Sequence, residues 1–228
     1  MNLDKLENLI SYSFKNENLL KEALTHRSYL NENPKWHLPH NERLEFLGDA
    51  VLELATTESL FEQFPREAEG KLTTLRAALV NYVMLAKLSK KIDLEIFLLM
   101  SRGETKDIGR AREVILANAM ESLIGAIYMD GGYEPAKNFV VKFILSEIKE
   151  VIQKGLDKDP KSLLQEKAQS DLKLTPVYKS LSEKGPDHKK IFIVGVYFGD
   201  EEIARGEGLS KQEAEVDAAH KALAAKSW

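Results

Sequence analysis

NERLEFLGDAVL, residues 41–52, runs into Glu53 and so sets acids at positions 42, 45, 49 and 53 of a segment that is otherwise largely apolar and also contains Gly48. The spacing is helical. At about 100° per residue, Leu47, Val51, Leu54 and Ala55 gather on the side of Leu44. Glu42, Glu45, Asp49 and Glu53 fall within an arc of about 80° on the other side. A solvated polar face would account for such a stripe. However, acids four residues apart repel one another when the stripe holds no Lys or Arg, and a mid-helix glycine costs about 1 kcal/mol against alanine. A site on this face would offset both costs.

A second segment bears on the choice. VILANAMESLIGAIYM (114–129) is apolar on nearly every side, the mark of a buried helix, and carries Asn118, Glu121, Ser122 and Gly125 along one narrow stripe. A buried carboxylate needs a donor or a cation. Glu121 is either a core acid paired with an arginine or part of a site. In the second case its stripe packs against the acidic one, small residues let the backbones approach, and Glu45, Asp49, Asn118 and Glu121 present four oxygen donors to one point. All-oxygen, carboxylate-rich coordination suits a hard divalent cation such as Mg²⁺.

Outward from these segments, 19–30, 42–64, 70–92, 112–130 and 134–154 repeat apolar residues every three to four positions and are expected to be helices. QKGLDKDPK (153–161) breaks the pattern with Gly, Pro and five charges. Beyond it lie a short amphipathic helix (161–170) and three strand-like runs, TPVYKSLS, KKIFIVGVYF and EEIARGEG. A last helix (210–225) opens with Ser210 and Glu213 in a capping-box spacing. The expected fold class is mainly α: an all-helical domain over 1–152, a linker over 153–160, and a small α+β domain of order α-β-β-β-α over 161–228. Both helices of the small domain are expected on one face of an antiparallel sheet.

The 228 residues include no cysteine, which excludes disulfides and thiolate metal sites and suits a reducing cytoplasm. The N-terminus does not read as a secretory signal, and the longest nearly apolar stretch, 191–198, is too short to span a bilayer. Net charge is −4, and residues 157–228 hold 12 Lys and Arg against 13 Asp and Glu. Any nucleic-acid contact must therefore be a focused patch.

NERLEFLGDAVL resembles the signature of the ribonuclease III family. ALTHRSY (23–29), EGKLTTLRAALVN (69–81) and LANAMESLIGAIYMDGG (116–132) match its flanking blocks in order, and the C-terminal region resembles a double-stranded RNA-binding domain. The resemblance implies a homodimeric endoribonuclease that cuts double-stranded RNA to 5′-phosphate and 3′-hydroxyl ends, processing ribosomal, messenger and transfer RNA precursors. It places Glu45, Asp49, Asn118 and Glu121 at a Mg²⁺ site, with Mn²⁺ as a substitute, and gives the catalytic work to Asp49 and Glu121. Glu69 falls on a further family acid, near a possible second metal.

The position of Asn118 is often Asp in the family, so the site has one negative charge fewer. A non-cleaving binder of double-stranded RNA, disabled by Asn118, is the alternative. Phe46 resembles a knob that inserts into a partner subunit, or else is an ordinary core phenylalanine. By the same resemblance RNA meets Gln165 and Glu166, the turn with His188 and Lys189, and Lys211, whereas Gln212 stands where a second basic residue is frequent. The histidines of HLPH (37–40) sit in a loop and are not expected to bind metal, and His26 is expected to cap or pack. The basic loop SRGETKDIGRAR (101–112) either touches RNA or is simply mobile.

Overall fold

The structure, a computed structural model, describes residues 3–106, 108–185 and 190–228. It divides into two compact units, one ending at Asp157 and the other running from Lys158 to Trp228. In the first, the helices are α1 (Leu3–Ile10), α2 (Glu17–Ala23), α3 (Arg27–Glu32), α4 (Glu42–Gln63), α5 (Glu69–Val80), α6 (Tyr82–Lys91), α7 (Arg110–Gly131), α8 (Tyr133–Phe143) and α9 (Ile148–Gln153). α7 is the central element. Leu116, Ala117, Ala119, Met120 and every residue from Ser122 to Ile127 are buried, as its apolar circumference requires. α4 packs along it, and α2, α6 and α8 close around it.

Three helices expected as continuous are broken. Segment 19–30 comes apart at Leu24–His26, where the Thr25 hydroxyl bonds back to the Lys21 carbonyl and His26 turns extended to cap α3. Segment 70–92 breaks at Asn81, whose side-chain amide donates to the carbonyls of Ala77 and Ala78 while its oxygen accepts from the Met84 amide. One asparagine thus ends α5 and starts α6, a double use that apolar spacing does not register. Segment 134–154 is interrupted by a 3₁₀ turn at Leu145–Glu147. There the buried Glu147 lies between Lys87 (2.9 Å) and Lys91 (2.8 Å). Burial alone would raise its pKa, but the two lysines outweigh it and hold the carboxyl low. Leu54, expected on the core side of α4, is 57% exposed.

The second unit contains α10 (Pro160–Lys167), strands β1 (Pro176–Lys184), β2 (Ile191–Phe198) and β3 (Glu201–Gly208), and α11 (Lys211–Lys226). The sheet is antiparallel in the order β1-β2-β3. Leu164 and Ala168 share one core with Val196, Phe198, Ala218, Ala219 and Ala222, so both helices lie on one sheet face. Ser210 caps α11 by accepting from the Glu213 amide at 3.1 Å, while Glu213 reaches back to the amide of Leu209 rather than to the cap residue itself. Within the segment read as a linker, Asp157 is buried against Lys71 and Asp159 caps α10. Among the described residues no helix is long and apolar enough to cross a membrane.

Among the described residues, the fully buried Thr56 hydroxyl finds no hydrogen-bond partner. Because an unmade buried hydrogen bond costs about 1 kcal/mol or more, the near-isosteric Thr56→Val should raise the melting temperature by about 2–4 °C, read by thermal denaturation.

Candidate active site

α4 and α7 touch backbone to backbone. A methyl group added at Gly48 would lie 1.8 Å from the Glu121 carbonyl oxygen, and one at Gly125 would lie 2.2 Å from the Leu44 carbonyl oxygen. Only glycine at both crossings permits this approach. Next to it the Ser122 hydroxyl donates to the Asn118 carbonyl at 2.7 Å and stands 3.3 Å from that of Asn41. The side chains flanking the contact are thereby brought together.

The Asn118 side chain lies near enough to Glu45 to favour its ionised form, and Glu121 feels the charges of both Asp49 and Glu45. Burial, then these two neighbours, push the Glu121 carboxyl up to about 7. Glu45 is raised by burial, Glu42 and Asp49, against the lowering effect of Asn118. The stripe of four acids divides here: Glu42 has Arg27 at 3.6 Å and Glu53 has Arg76 at 2.9 Å. Among the described residues Glu45, Asp49 and Glu121 have no such basic partner. The cluster therefore gathers negative charge from the half-buried Glu45 and Glu121 and the exposed Asp49, charge that a divalent cation would neutralise.

Among the described residues, no three His, Cys, Asp or Glu side chains close into a preformed metal cage. A hydrated Mg²⁺ needs only one or two carboxylates directly. The donor set, carboxylates with one amide, fits that ion.

The remaining expected residues are distributed as follows. Glu69 is exposed at the start of α5, where its carboxylate accepts from the Thr73 hydroxyl at 3.1 Å. It is not among the acids acting on Glu45 and Glu121. Instead it borders a groove of about 430 Å³ with Phe61, Leu72 and Arg76. Phe46 is 82% exposed, which rules out an ordinary core role within this chain.

On α10, Gln165 and Glu166 are exposed, and Glu166 pairs with Lys158 at 2.8 Å. Lys211 opens α11, exposed, close enough to act on Glu183 near the end of β1. The start of α11 and the root of the β1–β2 turn are therefore neighbours. His188 and Lys189 lie outside the described residues. His40 and Glu42 contact one another, with His40 Nδ1 accepting from the Glu42 amide at 3.4 Å, while His37 leans on Trp36. Sequence reasoning passed over the Arg27 and Arg76 partners because they come from α3 and α5, far along the chain from the acids they neutralise.

Residues 16–148 match the ribonuclease-III-like family and residues 160–226 the double-stranded RNA binding motif. Ribonuclease 3 of Syntrophobacter fumaroxidans is 45% identical over 99% of this chain and 96% of its own length. That of Carboxydothermus hydrogenoformans is 46% identical over 97% and 94%. The nuclease domain of ribonuclease III from Campylobacter jejuni, described as flexible in a region involved in dimer formation, superposes with a TM-score of 0.58 at 45% identity, covering 64% of this chain and 97% of that domain. Family matches over both units and near-full-length likeness agree with the acid cluster on α4 and α7: the chain belongs to the ribonuclease III family of endoribonucleases.

Proposed function

We propose that Glu45, Asp49, Asn118 and Glu121 hold Mg²⁺, or Mn²⁺ in its place, and that the enzyme cuts double-stranded RNA to leave 5′-phosphate and 3′-hydroxyl ends. The observation that carries this reading is that Glu45 and Asp49 of α4 and Glu121 of α7 press on one another electrostatically, with no basic partner among the described residues. A divalent ion bound there supplies Lewis-acid stabilisation of phosphate charge and a more acidic water. The chain's own residues do the rest. Asp49 and Glu121 offer oxygens at the reacting centre. The Asn118 amide favours the ionised form of Glu45 and offers its carbonyl oxygen to the ion. Partial burial of Glu121 limits water at the site and strengthens each charge interaction.

Double-stranded RNA is a substrate with local two-fold symmetry, so a two-fold dimer would place one site on each strand. The exposed Phe46 suits insertion into a partner copy. Glu69 remains a candidate for a second cation. The RNA-binding unit would read duplex shape across the minor groove through Gln165, Glu166, His188, Lys189 and Lys211. Processing of ribosomal and messenger precursors in the cytoplasm is the cellular role this reading entails.

Cleavage is favoured over mere binding because the cluster keeps three carboxylates despite Asn118. Labelled long duplex RNA, incubated with Mg²⁺ and separately with Ca²⁺, tests it: cutting only with Mg²⁺ supports the reading, and tight binding without cutting in Mg²⁺ overturns it. Asn118→Asp adds a fourth charge to the site. It should tighten Mg²⁺ activation about tenfold, read as the Mg²⁺ concentration giving half-maximal cleavage.

A further inference from the structure

The segment after Leu99 is tied to the α2–α3 junction by a chain of hydrogen bonds that ends on one imidazole. The Leu99 amide donates to the Leu24 carbonyl at 2.8 Å and the His26 amide to the Leu99 carbonyl at 2.9 Å. The Ser101 amide donates to the buried Ser28 hydroxyl at 3.0 Å, and that hydroxyl lies 2.8 Å from His26 Nδ1. Nδ1 also accepts from the Ser28 amide at 3.3 Å, capping α3. Ser101 is itself the knot of the segment, since its carbonyl accepts from the Thr105 hydroxyl and amide and its hydroxyl from the Glu104 amide. One residue on, Arg102 is exposed, with its amide donating to Glu32.

We infer that His26 is a positioning residue: its neutral imidazole, accepting at Nδ1, holds segment 99–105 in place, and protonation of that nitrogen loosens the segment and weakens RNA binding through it. The part concerning RNA rests on the function proposed above and on the exposed Arg102, the cation this segment would present to a phosphate. Only a neutral ring can accept at Nδ1. Once protonated, Nδ1 becomes a donor, the Ser28 amide loses its acceptor, and the Ser28 hydroxyl must find another acceptor for its own proton. The groups facing the ring are Glu104 and Glu42, which favour the charged form, and Arg27 and His40, which oppose it. Burial outweighs them and lowers the pKa, so the holding form prevails at neutral pH and is lost on acidification.

Amide hydrogen exchange of the full-length protein at about pH 7.5 and about pH 5 tests this on His26→Ala, His26→Asn and the unmodified chain. Asn keeps an oxygen acceptor at the cap but does not titrate. Protection of Ser101 should fall about five- to tenfold in His26→Ala, the equivalent of a lost cap. It should fall likewise on acidifying the unmodified protein, and stay level with pH in His26→Asn. Undiminished protection in His26→Ala, or the same acid loss in His26→Asn, overturns the inference. Affinity for duplex RNA, measured in EDTA so that nothing is cut, should fall in parallel. If Ser101 loosens while affinity holds, the link from His26 to RNA is overturned, and the nuclease reading still stands or falls on the Mg²⁺ cleavage assay.

Discussion

Glu121→Gln should lower cleavage of duplex RNA by about 10³-fold or more, a loss of roughly 4 kcal/mol of transition-state stabilisation, and should at the same time make the metal-free protein more stable. The two effects share one cause. The Glu121 carboxyl is raised to about 7 in the fold from 4.5, first by burial and then by Asp49 and Glu45. A carboxyl whose folded pKa lies above its unfolded value favours the fold when protonated and opposes it when ionised. The penalty is absent below about pH 4.5, grows as pH rises toward 7, and is complete above that. Because the site is only partly buried, the full shift overstates the energy, and on the order of 1–2 kcal/mol is expected.

In EDTA at about pH 8, the glutamine variant should therefore melt roughly 2–6 °C higher, with the gain vanishing at low pH. Mg²⁺ should raise the melting temperature of the unmodified protein and barely move the variant, because the ion neutralises the charge that the substitution removes. Equal cleavage by the two proteins would remove Glu121 from the chemistry. A variant that is less stable at every pH would show that the acid is held by a partner rather than crowded by neighbours.

The candidate site was legible in the sequence to the extent that helical spacing and burial determine direction. Period alone places Glu45 and Asp49 on one face of α4, and the costs of repulsion and of Gly48 single that face out as the candidate. The same arithmetic set Glu42 and Glu53 as equals of the inner pair, because a helical wheel does not contain Arg27 or Arg76, which reach them from other helices. Helix ends were harder to read than helix faces. Asn81 ends one helix and starts the next, and His26 starts α3, through side-chain hydrogen bonds inside runs whose apolar spacing continues undisturbed, and such local bonds compete with the helix without altering its hydrophobic pattern. Leu54 and Phe46 show a different limit. Both are large and apolar, yet stand 57% and 82% exposed, and a single chain contains no surface that requires them to be covered. Periodicity reports that a residue is apolar, not which molecule buries it.

The same substitution at two glycines should give opposite results. At Gly70, in α5, an added methyl group meets nothing within 4 Å, so Gly70→Ala should stabilise by about 0.5–1 kcal/mol through helix propensity alone. Gly48→Ala gains the same propensity and loses far more. The new methyl would stand 1.8 Å from the Glu121 carbonyl oxygen, 2.6 Å from its carbon and 2.8 Å from the Gly125 amide nitrogen. All three are backbone atoms of α7, so no side chain can swing aside, and the helices must separate by more than about 1 Å to restore ordinary contact.

Overpacking of this kind costs about 1–3 kcal/mol and at times more, and α7 is the helix around which the first unit is built. A net destabilisation of about 2–4 kcal/mol should appear in denaturant unfolding. Activity should fall further than stability. Any movement at this crossing displaces Glu45 and Asp49 from Asn118 and Glu121, and misplacement of a reacting set by about 1 Å costs on the order of 10²-fold in rate. Cleavage measured well below the melting temperature, where the variant is still folded, separates the two effects. A folded Gly48→Ala protein with undiminished cleavage would show that the helices need not touch for the acids to work together, and the close crossing would then belong to packing alone.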